Sequence, residues 1–155
     1  MTETKFAHNI EVRVFSKENE DDEEKIIEKI HELFPFDFEK EKVEFNSKIS
    51  YGFEETKIKI LTVFIKKESQ TRKVLKLLMD NLSKEQKSML IKQLESRLDE
   101  KLHFFIRLDK EKLLKGEYVI TDSWNCFHFK VCVAAYPHKR EVAKEIVIEM
   151  LEYQK

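Results

Sequence analysis

A chain of 155 residues, 41% hydrophobic and carrying twelve phenylalanines, holds enough apolar surface for one substantial core, so a single domain over 1–155 is expected. Charged residues make up 38% and only two glycines and two prolines punctuate the chain, which excludes extended disorder and favours long regular elements joined by short loops. No apolar run approaches the roughly 18 residues of a membrane span, no basic-then-apolar leader opens the chain, and Cys126 and Cys132 are too few for a disulfide framework; a cytoplasmic protein without a membrane partner is expected.

The formal charge of −1 conceals an asymmetry. Residues 1–55 hold 8 Lys/Arg against 16 Asp/Glu, a net −8, and residues 56–155 hold 21 against 14, a net +7. Phosphate affinity follows local clusters of cations rather than whole-chain charge, so polyanion binding is permitted without being required.

In chain order, residues 8–15 alternate Ile10, Val12 and Val14 with Glu11, Arg13 and Phe15, the period of a strand with one buried face. The acidic run 19–24 then meets the positive end of a helix dipole, and Ile26, Ile27, Ile30, Leu33 and Phe34 recur at helical spacing until Pro35. Residues 36–50 hold weak strand signals at 43–45 and 48–50 before a turn at Tyr51-Gly52. Residues 57–65 form a clearer strand with apolar side chains on both faces, as for a central strand or one covered on both sides. Two helices follow, near 69–81 and 84–97, the second opened by the capping box Ser83–Gln86, and together they predict a helical hairpin.

Residues 101–108 alternate again, with Leu102, Phe104, Ile106 and Leu108 on one face and His103, Phe105 and Arg107 on the other. Asp109 caps a short helix that Gly116 stops. A hairpin is expected from 117–121 through the turn 122–125 into a strand over 127–135, and Tyr136-Pro137 opens a final amphipathic helix. The order lacks the strict alternation of a doubly wound fold, so the expectation is α+β: a mostly antiparallel sheet with helices packed on it, including the helical hairpin and the C-terminal helix.

Catalytic signatures are missing. Gly52 and Gly116 do not form a phosphate loop, no nucleophile elbow is present, and Cys126, His128 and Cys132 lack a fourth ligand, so neither catalytic residues, a metal nor a cofactor is assigned. Acids at Asp99, Glu100 and Asp109 leave open a magnesium-dependent nuclease.

Cations and rings are what the sequence does supply. Opposite the apolar faces of the strong strands stand Arg13 and Phe15, then Phe105 and Arg107 with His103, then His128 and Lys130. On neighbouring strands of one exposed face, rings stack on unpaired bases while cations neutralise phosphates. If the helices at 69–97 cover that face instead, Phe15 and Phe105 become core. A second group, Lys57, Lys59, Lys66, Lys67, Arg72 and Lys73, spans a strand end and a helix start, against a solvated lysine-rich loop as the bland reading. Lys139-Arg140 opens the last helix, where cations oppose the dipole and a bound anion would relieve them.

The stretches Arg97–Glu100, His103–Lys110, Gly116-Glu-Tyr, Val131–Ala135 and Tyr136–Arg140, with Val12–Phe15, Asp21–Glu24 and Tyr51-Gly52 upstream, resemble an archaeal family of RNA-binding proteins described as exosome subunits. That family is similar in fold to the large-subunit ribosomal protein that binds 5S ribosomal RNA. The resemblance spans about the whole chain and implies a non-catalytic RNA-binding protein acting with or beside the RNA-degrading exosome. This chain departs from the family's glycine-rich basic turn by carrying Glu54-Glu55 after Gly52, which argues against a phosphate role there. The competing expectation is a protein-interaction or dimerisation module whose acidic first helix meets a basic partner.

Overall fold

A computed structural model describes residues 4–153, so the outermost residues of the expected 1–155 domain lie outside the described residues. Five strands form one antiparallel sheet in the order β2-β3-β1-β5-β4: β1 (Ala7–Lys17), β2 (Glu44–Tyr51), β3 (Lys57–Ile65), β4 (His103–Asp109) and β5 (Cys126–Val133). Among the described residues, six α-helices accompany them: α1 (Glu23–Leu33), α2 (Glu68–Asn81), α3 (Lys84–Lys92), α4 (Leu94–Arg97), α5 (Lys110–Leu114) and α6 (Arg140–Glu152). This is the expected α+β class.

The sheet is built by strict alternation. One face stacks Phe45, Val63, Val12, Phe129 and Ile106 in a row across all five strands, flanked by Leu61, Val14, Phe127 and Leu108 and by Ile65, Ile10, Val131 and Phe104. Nearly all of these are fully buried and join Ile26, Ile30, Leu78, Leu90, Ala143 and Val147 from the helices in one core. Each large apolar side chain buried in this way contributes about 1.5–3 kcal/mol. The helices cover this face, with α2 against β1, α6 against β5, and α5 against β4 and β5.

Local chemistry sets the boundaries. Asp22 caps α1 by accepting from the Lys25 amide at 3.3 Å, and Phe34 caps its other end one residue before Pro35. Ser83 accepts from the Gln86 amide at 3.1 Å, but Gln86 does not close the expected capping box. Its side chain reaches out instead, donating to the Tyr118 carbonyl at 2.9 Å and accepting from the Ile120 amide at 2.8 Å. Gln86 thereby fixes residues 118–120 beside β4.

Three boundaries differ from the sequence expectation. The weak signals at 43–45 and 48–50 belong to one edge strand, β2, whose residues are nearly all exposed; with only β3 beside it, it buries too little to show a strong pattern. The helix expected over 84–97 breaks at Gln93 into α3 and α4. Residues 117–121 do not form a hairpin with β5: they lie along β4, with a single bridge between Leu108 and Ile120, and β5 inserts between β4 and β1. Val119 and Ile120 face a strand edge that local alternation cannot identify.

Candidate nucleic-acid interface

The second face of the sheet follows from the same alternation. Opposite the Phe45–Ile106 core row runs Asn46, Thr62, Arg13, His128 and Arg107; beside it lie Glu44, Phe64, Glu11, Lys130 and Phe105, and on the other side Lys48, Ile60 and Phe15. Arg13 is exposed and Phe15, Phe105, Arg107, His128 and Lys130 are half-buried, whereas their core-facing neighbours are sealed. Of the consecutive helices at 68–97, Gln93, Ser96 and Arg97 overhang it at the β4 end, and Phe15 and Phe105 stay off the core.

At the β4 end of this face the side chains interlock. The Phe105 and His128 rings are 5.3 Å apart, and the Arg107 guanidinium lies 4.7 Å from the centre of the Trp124 ring, which is 70% exposed. Arg97, from α4, lies against the outer edge of β4 and is only 7% exposed. Its Nε donates to Gln93 Oε1 at 2.8 Å, an Nη donates to the Phe105 carbonyl at 3.4 Å, and the other Nη lies 3.5 Å from Asp122. Together these groups enclose a hollow of about 420 Å³, walled by Gln93, Ser96 and Arg97, floored by Phe105, Arg107 and His128, and rimmed by Asp122.

Charge in this region is mostly positive. Burial first, then the charges of Arg107, Arg13 and Lys130, hold the His128 imidazole below its ordinary value against the opposing pull of Glu11. Burial likewise pulls Arg97 down, with Asp122 opposing and Arg107 reinforcing. With its value lowered, His128 favours the neutral flat ring between the Arg13 and Arg107 positions, and burial removes part of the hydration of Arg97.

The thirteen residues singled out from sequence divide. Arg13, Phe15, Phe105, Arg107 and Lys130 share the exposed face. Lys57 and Lys59 sit on the opposite side of β3, at a smaller hollow shared with Lys17, Asp21 and Glu23, where Lys59 pairs with Glu23 at 3.1 Å. Lys66 and Lys67 are exposed at the start of α2, Arg72 pairs with Glu68 at 3.6 Å, and Lys73 lies 5.7 Å from the Phe36 ring centre. The 57–73 group is therefore not one patch, because strand alternation and the turn into α2 send its members in different directions. Arg140 is a structural clasp: it donates to the Leu98 and Glu95 carbonyls, each at 2.9 Å, and pairs with Glu95 at 3.1 Å. Glu95 supplies the negative charge that sequence reasoning assigned to a ligand; Lys139 beside it is exposed.

Other groups proposed for chemistry are occupied structurally. Asp99 accepts from the Lys101 and His103 amides at 3.0 and 2.8 Å and lies 3.2 Å from His103 Nδ1, and Asp109 caps α5 through the Lys112 amide at 3.0 Å. Burial raises the thiols of Cys126 and Cys132, and among the described residues no three His, Cys, Asp or Glu side chains converge as a metal site. Arg97 and Trp124 escaped the sequence reading as site residues. An exposed tryptophan in a polar turn was the available signal for Trp124; Arg97 entered only as part of the Arg97–Glu100 stretch, and its place in the site depends on the α4–β4 approach.

Comparison with known proteins bears on what such a face meets. A family model described as RNA binding matches residues 9–133, and an RNA-binding protein of Pyrococcus abyssi is 35% identical over 146 residues, 94% of each chain. The chain belongs to this RNA-binding family. A crystal structure from Archaeoglobus fulgidus is 30% identical and superposes with a TM-score of 0.79, covering 93% of this chain and 99% of that one. A structure from Methanothermobacter thermautotrophicus is 28% identical, with a TM-score of 0.76 and coverage of 95% and 99%. The matched family segment contains all five strands except the first two residues of β1, and therefore the whole Arg13–His128–Arg107 row.

Proposed function

We propose that this protein binds single-stranded RNA across the exposed sheet face, without catalysing a reaction on it. The observation that carries this reading is the row Arg13, His128 and Arg107 on adjacent strands, flanked by Phe15, Phe105 and Lys130 and capped by Trp124. Strands of a sheet are about 4.8 Å apart, so the row spans roughly 10 Å and offers alternating charge and ring over two or three nucleotides. Guanidinium and ammonium groups meet phosphates; Phe105, Phe15 and Trp124 offer π-faces to bases.

The resemblance to exosome-associated proteins supports a place as an accessory factor of the RNA-degrading exosome or of RNA processing in the cytoplasm. Membership of an RNA-binding family supports the RNA partner itself. The test is an NMR titration of the labelled protein with a short oligouridine. Amides of β1, β5 and β4 and of residues 122–125 shift together, while those around Lys57, Lys59 and α2 stay fixed; shifts confined to α2 or α6 contradict the reading. Incubating labelled RNA with magnesium and a large excess of protein leaves the RNA intact.

A further inference from the structure

We propose that the hollow between the α3–α4 junction and β4 seats the phosphomonoester at the end of an RNA strand, held between Arg97 and Arg107. This rests on the RNA-binding reading and adds a preference for a strand end. The hollow, about 420 Å³, lies within the ~300–1,000 Å³ range of sites that enclose small ligands. Two guanidiniums reach it against one carboxylate, Asp122, whose side chain is 89% exposed and 3.5 Å from Arg97. Such an exposed partner holds Arg97 weakly and yields readily to a phosphate.

Arg97 differs from a surface cation that neutralises passing phosphates. It is packed to 7% exposure and held by Gln93 and the Phe105 carbonyl, so its guanidinium is already fixed in place. Arg107 Nε is shielded from solvent and has no hydrogen-bond partner among the described residues. A shielded donor without an acceptor costs stability, which a ligand oxygen recovers once the Arg107 side chain turns its Nε toward the hollow it lines.

The terminal position follows from the edge of the sheet. A strand laid along Arg13, His128 and Arg107 reaches β4, the last strand, where the Arg97–Asp122 pair joins α4 to the 122–125 loop. A phosphomonoester carries about −1.5 to −2 charges at neutral pH, whereas an internal diester carries one, so a paired-guanidinium seat discriminates in favour of the end. The neighbouring Phe105 and His128 rings supply a stacking surface for the terminal base.

The experiment is calorimetric titration of the full chain with one oligouridine prepared with a 5′-hydroxyl, a 5′-phosphate or a 3′-phosphate end, and with free uridine monophosphate. One phosphorylated end binds about tenfold tighter than the unphosphorylated oligonucleotide, as expected for charge-assisted hydrogen bonds. Arg97→Gln abolishes the difference. Because Arg97 is also packed, Ser96→Glu provides an independent check: Ser96 is exposed, its hydroxyl donates to the Gln93 carbonyl at 3.0 Å, and the new carboxylate repels the ligand without removing a core contact. Equal binding of all three ends, or a preference that survives in Ser96→Glu, overturns the terminal seat while leaving RNA binding intact. Uridine monophosphate binding tighter than the phosphorylated oligonucleotide assigns the hollow to a free nucleotide and also overturns it. Failure of every oligonucleotide to bind removes the RNA-binding reading itself.

Discussion

The two faces of the sheet come from the same strands and the same register, yet they carry opposite chemistry. Val12, Phe129 and Ile106 point one way into a helix-covered core; Arg13, His128 and Arg107, their immediate neighbours in sequence, point the other way across three strands. A single-residue slip of β5 would put His128 where Phe129 belongs in the core, and the same holds for the other strands, so the core that stabilises the fold also fixes where the cations stand. The placement of these cations is thus a by-product of core register.

That contrast predicts separable effects. Phe129→Ala, on the sealed face, should lower unfolding free energy by about 3–5 kcal/mol in denaturant titration, while the fraction that remains folded binds RNA with near-normal affinity. Lys110→Ala comes next. Lys110 is 3% exposed and bonds the Phe15 carbonyl at 2.6 Å and Asp21 at 3.0 Å, tying the turn after β1 to α5. Removing it leaves Asp21 without its buried partner and should cost about 3 kcal/mol by the same measurement.

On the exposed face the order reverses. Arg107→Ala should weaken RNA binding about tenfold by fluorescence anisotropy, with a stability change of about 1 kcal/mol or less from losing the Trp124 stack. A smaller effect comes from pH. The folded protein holds His128 below its ordinary value of 6.5, so under acidic conditions the unfolded chain binds more protons at this site; its contribution to stability is intact above that value and falls as pH drops below it. A phosphate docked on this face would reverse the preference by favouring imidazolium at His128, which faces Arg13, Arg107, Lys130 and Glu11. Affinity should therefore rise about threefold as pH falls from neutral towards the depressed pKa, and His128→Phe should flatten this component.

Alternation made β1, β4 and β5 legible from residues alone, because each sends most of its apolar set to one side, and β3 was legible from a continuous run of β-branched and apolar residues on both faces. It also grouped Arg13, Phe15, Phe105, Arg107 and Lys130, since residues of like parity on paired strands share a face. What it could not supply was the strand order. Whether the helices at 68–97 fold over one face or the other is decided by long-range packing, and so is the meeting of Arg97 with β4. Arg140 shows the converse failure: a cation misplaced for its own helix dipole is satisfied by carbonyls and Glu95 more than forty positions earlier. The 57–73 lysines looked like a cluster only because they are close in sequence.

The most direct measurement is RNA affinity against salt for the native chain, Arg13→Ala and Arg107→Ala. With Arg13, Arg107 and Lys130 each meeting one phosphate of a single strand, log affinity should fall against log salt with a slope of about −2, and each substitution should reduce that slope by about 0.7. An affinity that ignores salt, or a slope that both substitutions leave unchanged, would contradict docking on this face.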